Sequence, residues 1–161
     1  MTSSLKRVYI LFITVVMTVS AEVIVWKSCP NDSSTPKVCT IHEVRVLPCK
    51  EAVQGKACNL KKGEDAKISF DFTPKFDASK VESRAYWPNQ LVDLPLMGME
   101  SDACKEGTTC PLARDTKYTY NINLPISKKF PTRPFDVKWK LWNTEKEDEL
   151  CCFLFQINLL K

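Results

Sequence analysis

Apolar residues recur at every second position through most of the chain, broken at short intervals by proline and glycine. In Ile68-Ser69-Phe70-Asp71-Phe72 the apolar side chains share one face and the polar ones the other. The same alternation runs through Phe135-Asp136-Val137-Lys138-Trp139-Lys140-Leu141, and through Phe153, Phe155, Ile157 and Leu159. Tyr118, Tyr120 and Ile122 alternate with Thr119 and Asn121, and Val44 and Val46 flank Arg45. A period of two is that of a strand with one buried face. Val92, Leu94 and Leu96 continue it across Asp93 and Pro95, where a proline without an N–H points to an edge strand or a bulge. No window of a dozen residues holds a 3.6-residue period, so any helix is expected to be short and peripheral. Six or seven one-faced strands at this spacing predict an all-β chain, two antiparallel sheets packed face to face. The predicted inward set is Val44, Val46, Ile68, Phe70, Phe72, Leu94, Leu96, Tyr118, Tyr120, Ile122, Phe135, Val137, Trp139, Leu141, Phe153, Phe155 and Ile157.

The first 21 residues break this pattern. Lys6 and Arg7 precede an apolar run from Val8 to Val19, and Ser20-Ala21 stands before Glu22. That is the layout of a cleaved signal peptide, too short an apolar run to span a bilayer. Residues 1–21 are therefore expected to be removed, leaving 22–161 as one domain that buries roughly two-thirds of its unfolded surface. Setting aside Lys6 and Arg7, 21 of the 23 basic side chains remain against 19 acidic ones, a net charge of +2. Such a balance, with the bases scattered, argues against nucleic acid as a partner.

Eight cysteines behind a leader suggest up to four disulfides in an oxidising compartment. Spacing lets Cys104 meet Cys110 across a Gly-containing turn, and Cys49 meet Cys58 around Gly55. Cys29, Cys39, Cys151 and Cys152 lie near the two ends of the mature chain, with their pairing left open by spacing alone. A bridge between the ends would close roughly 120 residues and stabilise by about 5 kcal/mol in the chain-entropy model, against about 2 for the Cys104–Cys110 loop. Neither a metal nor a redox role is expected, because there is no Cys-x-x-Cys and only one histidine. That histidine, His42, reads as a solvated strand residue. No Gly-x-Ser-x-Gly or Cys/His arrangement accompanies it, and Glu64-Asp65 and Glu147-Asp148-Glu149 read as solubilising turn residues. The expectation is a binding protein with no cofactor and no catalytic residues.

Several segments together resemble one family. Cys104-x5-Cys110-Pro111, Lys117-Tyr118-Thr119-Tyr120, Leu124-Pro125-Ile126 and Phe130-Pro131 follow one another as they do in the ML family of lipid-recognition proteins. Glu43 to Cys49, Cys58-Asn59-Leu60-x-Lys62-Gly63 and Val137-Lys138-Trp139-x-Leu141 look like the same family's strands. The pattern is most similar to its Niemann–Pick type C-two (epididymal secretory, sterol-transfer) branch. The resemblance implies an immunoglobulin-like β-sandwich, stapled by disulfides, with an apolar cavity between its sheets. It implies the bridges Cys29–Cys152, Cys49–Cys58 and Cys104–Cys110. Cys39 and Cys151 are extra to the family pattern, either a fourth bridge or, since Cys151 shares the phase of Phe153, a buried thiol. The stretch from Leu94 to Met99 and the loop from Thr73 to Asn89 also depart from the sterol binders, which leaves sterol specificity open.

Periodicity cannot distinguish a filled core from one with a gap; the resemblance implies the gap. On that reading the ligand contacts are Phe70, Phe72, Leu94, Leu96, Met97, Tyr118, Tyr120, Phe130, Pro131, Phe135, Val137, Trp139, Phe153 and Phe155. Tyr118 or Tyr120 would supply a hydroxyl, Met97 and Met99 adaptable walls, and Phe130-Pro131 an aromatic entrance. Asn31-Asp32-Ser33 is a glycosylation sequon. The expected protein is a secreted monomeric carrier, extracellular or in the lysosomal lumen. It holds one sterol, fatty acid or small apolar signal molecule and makes transient membrane or receptor contacts. The alternative is a lipid-sensing co-receptor or innate-immune recognition protein.

Overall fold

The computed structural model describes residues 22–29, 38–89 and 91–161. The leader and the Asn31 sequon lie outside them. Ten strands occur among the described residues: β1 (Glu22–Val23), β2 (Trp26–Ser28), β3 (Cys39–Leu47), β4 (Cys58–Lys61), β5 (Asp65–Pro74), β6 (Val81–Trp87), β7 (Leu94–Pro95), β8 (Tyr118–Pro125), β9 (Pro134–Asn143) and β10 (Lys146–Leu160). Six of them are long and carry the architecture; β1, β2, β4 and β7 are two to four residues each. Among the described residues a single 3-10 turn, Ala52–Gln54, lies between β3 and β4.

The strands form two sheets. One has the order β1-β3-β5-β8; the other runs β2-β10-β9-β6-β7, with β4 added parallel to the end of β10. All other pairings are antiparallel. The sheets stack so that β3 faces β10, while Tyr120 of β8 reaches across to Ser83 of β6. The sandwich thus has two long margins, one at β1–β3 against β2–β10 and one at β8 against β6–β7.

Large inward side chains fix β5, β8, β9 and β10. Phe70 stacks on Tyr120 at 4.8 Å and meets Phe153 edge-on at 5.0 Å, while Trp139 lies 6.1 Å from Phe70 and 6.4 Å from Phe153. Each such aromatic pair adds about 0.5–1.5 kcal/mol beyond its buried area. On the outer face of the first sheet, Arg45 of β3 bridges Glu43 and Asp71, and donates from Nε to Ser69 Oγ at 3.1 Å. Thr119 and Lys117 also engage Asp71, at 2.9 and 3.0 Å. This network crosses β3, β5 and β8, so that sheet behaves as one stiff wall.

Two segments differ from the sequence reading. Residues 81–87, within the stretch taken as a loop, form a central strand whose inward residues are Val81, Ser83 and Ala85. Small inward side chains leave little apolar alternation to see. Ser83 is there because Trp139 Nε1 needs an acceptor, which the Ser83 hydroxyl supplies at 2.8 Å. Conversely, the alternation of Val92, Leu94 and Leu96 does not bury a face. Only Leu94 and Pro95 pair, at the sheet edge, and Leu94 stays 52% exposed with Val92 at 66%. The proline limits the pairing, and Val92 and Leu94 lie on the outside of the margin, while Leu96 packs against the core.

Disulfides join Cys29–Cys152, Cys39–Cys151, Cys49–Cys58 and Cys104–Cys110, and none of the eight thiols is free. Cys39 belongs to β3 and Cys151 to β10, so their bridge passes between the sheets. The adjacent Cys152 ties the segment after β2 to the same strand.

Candidate ligand-binding site

An apolar slot opens at the margin away from the Cys39–Cys151 bridge, where β8 ends and β9 begins. Leu124, Pro125 and Ile126 form its first wall, continuing the inward phase of β8 beyond the strand. Phe135 and Val137 of β9, with Ile157 and Leu159 of β10, form the second. Trp87, Tyr86, Leu96 and Met97 close it from the side of β6 and β7, and Phe130 covers the entrance. Asp136 is the one charged residue on its rim.

The entrance is built from aromatics in contact. Trp87 meets Phe135 edge-on at 4.0 Å and Phe130 at 5.6 Å. The Arg133 guanidinium lies 4.9 Å from the Phe135 ring centre and 5.6 Å from that of Trp87. The loop bearing Phe130 is tied down by its backbone: Gly63 N–H donates to Ile126 O at 2.6 Å, Ile126 N–H to Glu64 O at 3.1 Å, and Lys62 Nζ to Phe130 O at 3.1 Å. Outside the entrance an open groove of about 580 Å³ carries Glu64, Asp65, Lys128 and Lys129. Leu91, Val92, Leu94 and Met97 are exposed apolar residues on the β6–β7 side.

The slot is narrow. Its interior volume is about 20 Å³, room for roughly one water. The unfilled space between its walls, together with the open solvent at its mouth, comes to about 410 Å³. Among the described residues this slot offers no roomy inter-sheet cavity. The reason lies in the aromatic cluster: Phe70, Phe72, Tyr120, Trp139 and Phe153 are each fully buried against one another.

The structure places the fourteen ligand contacts expected from sequence in three groups. Leu96, Met97, Phe130, Phe135 and Val137 line the slot. Phe70, Phe72, Tyr120, Trp139, Phe153 and Phe155 are buried core deeper in the sandwich. Leu94 and Pro131 are exposed outside the slot, and Tyr118 is half-buried at the far end. There its hydroxyl accepts from Ala113 N–H at 2.8 Å and so anchors the loop after Cys110. Of the missed residues, Leu124 and Ile126 follow the phase of Tyr120 and Ile122, and Leu159 that of Ile157. Trp87 ends the unrecognised strand and carried no periodic signal.

His42 Nε2 lies 2.8 Å from Thr73 Oγ1 on the exposed face. Asp71 is held well below the usual carboxylate range by its hydrogen bond from Arg45, with Lys117 and Thr119 adding to it against the opposing pull of burial. Burial pushes the Tyr120 phenol up to about 12. The site is thus a closed apolar slot with a charged vestibule, suited to holding a hydrophobic molecule by exclusion of water.

The ML-domain family model matches residues 23–159. The chain belongs to the ML-domain family. It is 37% identical over 145 residues to the MD-2-related lipid-recognition protein of Manduca sexta, covering 89% of this chain and 90% of that one. It is 29% identical over 142 residues to the NPC intracellular cholesterol transporter 2 of Mus musculus, covering 88% and 89%. The crystal structure of a Niemann-Pick type C2 protein from Japanese carpenter ant superposes with a TM-score of 0.70 at 21% identity. It covers 85% of this chain and all of that one, which shows a shared immunoglobulin-like fold.

Proposed function

We propose that this ML domain is a secreted, monomeric, non-enzymatic carrier that admits one hydrophobic molecule between its sheets. The slot carries the reading. Its walls are apolar apart from Asp136 on the rim, it sits at the margin not crossed by the Cys39–Cys151 bridge, and half-buried Phe130, Trp87 and Leu96 close it. Rotation of those side chains and of exposed Met97 widens the entrance without unpairing a strand. Burial of ligand surface then contributes roughly 25 cal/mol per Å², less the free energy of displacing the side chains. The family, with relatives named for lipid recognition and cholesterol transport, supports the same reading. A sterol, a fatty acid and a small apolar signal molecule all suit the walls. The leader at 1–21 and the four disulfides suit export, and Asn31 is the proposed glycan site.

Organic extraction of the purified protein followed by mass spectrometry should release an apolar compound. A fluorescent fatty acid and a labelled sterol should then bind with different affinities and compete with it. Binding of neither, with an empty extract, sinks the carrier reading. The apolar side chains exposed beside the mouth, Leu91 at 92% and Met97 at 79% among them, support a second reading as a lipid-sensing co-receptor. That reading requires a protein partner whose capture depends on bound lipid and is lost in Leu91→Ser/Met97→Ser.

A further inference from the structure

One fully buried polar group between the sheets makes no well-formed hydrogen bond among the described residues. Tyr120 is fully buried, and its hydroxyl lacks a hydrogen-bond partner among the described residues. Ser83 lies close enough to bear on it, but the Ser83 hydroxyl is oriented by accepting from Trp139 Nε1 at 2.8 Å and donating to Lys140 O at 3.3 Å, and it forms no hydrogen bond of proper geometry with Tyr120. Thr108, next to the glycine that abuts the Tyr120 ring, has a buried hydroxyl that is likewise unpaired. An orphaned buried hydroxyl is destabilising, and phenylalanine would fill the same space without that penalty.

The ring is also held in place. Phe70 stacks on one side, Trp139 stands 6.0 Å away, and the Gly107 backbone presses against the ring edge so closely that no Cβ fits there. The hydroxyl therefore cannot swing out to find a partner. Burial holds the phenol protonated, so it remains a donor throughout the physiological range.

Tyr120 lies in line with the slot. Leu124 of the slot wall, Ile122 and Tyr120 share one face of β8, and the four residues from Leu124 to Tyr120 span about 13 Å. On β6 the matching path from Trp87 to Ser83 passes only Ala85, a small residue capped by flexible Met99. One layer of side chains thus separates the floor of the slot from the unpaired donor.

Resting on the carrier reading above, we propose that Tyr120 is the polar anchor of the opened slot, receiving a lipid whose deeply buried end carries an uncharged hydrogen-bond acceptor such as an ester, ketone or alcohol oxygen. A carboxylate does not suit that end. The carboxylates of Glu100 and Glu106 bear on Tyr120, and both are negative. An ionised fatty acid would instead leave its head at the mouth, beside Lys128 and Lys129.

The test compares methyl oleate, 1-octadecene and oleate at a pH where the acid is ionised, in the unaltered protein and in Tyr120→Phe. The ester should bind about tenfold tighter than the alkene in the unaltered protein, the worth of one hydrogen bond. Tyr120→Phe should bring the ester down to the alkene's affinity while the oleate affinity does not change. The infrared carbonyl stretch of the ester bound to the unaltered protein should shift down from its value in hydrocarbon, a readout that needs no variant. Equal binding of ester and alkene, or an unshifted carbonyl, overturns the anchor while leaving the carrier. No binding of any probe overturns both.

Discussion

A methyl group at position 107 would fall within the edge of the Tyr120 ring, and the backbone there sits at φ +138°, a region that L side chains rarely adopt. Gly107→Ala therefore meets both overpacking and backbone strain, and should lower unfolding stability by about 3–5 kcal/mol in urea titration. Gly55→Ala is the control. Its φ is +64° and the nearest atom to a new Cβ is Val25 Cγ2 at 3.9 Å, so only the left-handed backbone is disturbed, at about 1–2 kcal/mol. Equal losses would show that the Tyr120 contact is unimportant. The acid side of the stability curve depends on Asp71. Its carboxyl is shifted down by the hydrogen bond from Arg45, so its contribution is complete above the unfolded value of about 4. That contribution disappears as pH falls from there toward the lowered folded value, because the unfolded chain takes up the proton first. The stability difference between the unaltered protein and Asp71→Asn should thus be largest above pH 5 and shrink steadily below pH 4. A difference constant across that range would assign Asp71 no such role.

At the scale of the strands, the sequence was legible wherever the inward residues are large. β5, β8, β9 and β10 declare themselves through Phe70, Tyr120, Trp139 and Phe153, because a strand facing another sheet fills the gap with bulk. β6 was hidden for the opposite reason: Trp139 projects toward it and leaves room only for Ser83 and Ala85. β7 misled because its apolar side chains belong to an exposed margin, and period two does not say which face is wet. The slot was half-legible for a related reason. Alternation gives the face of a residue but not its depth along the strand, so mouth residues such as Val137 and core residues such as Trp139 look alike. Two variants check these assignments. Ser83→Ala leaves the Trp139 indole N–H buried without an acceptor and should destabilise by about 1–3 kcal/mol, with Ser83→Thr recovering part of it. Phe130→Ala removes the edge contact on Trp87 and uncovers the slot. Stopped-flow exchange of a fluorescent lipid should become about tenfold faster, as for roughly 1.4 kcal/mol of lost closure. An unchanged exchange rate would place the entrance elsewhere.

For the molecule as a whole, the disulfides set which margin can part. Cys29–Cys152 and Cys39–Cys151 span 123 and 112 residues, and both fall at the β3–β10 margin, away from the slot. Their effects on the unfolded chain are not independent. Either bridge alone closes a long loop and stabilises by about 5 kcal/mol in the chain-entropy model. Once one is closed, the shortest path around the other is only about a dozen residues, and the second bridge adds about 3 kcal/mol. Cys39→Ala/Cys151→Ala and Cys29→Ala/Cys152→Ala should therefore each lose about 3 kcal/mol, and the quadruple variant about 8, more than the two losses added. The extra inter-sheet bridge then acts chiefly as a local clasp that keeps β3 against β10, a role set by where it lies in the sandwich. Lipid exchange supplies the second readout. If the slot opens at the β8 and β6–β7 margin, exchange in either double variant should match that of the unaltered protein while Phe130→Ala remains fast. Acceleration on losing Cys39–Cys151 would instead mean that the sheets hinge open through the clasped margin, and the mouth would have to be moved to that side.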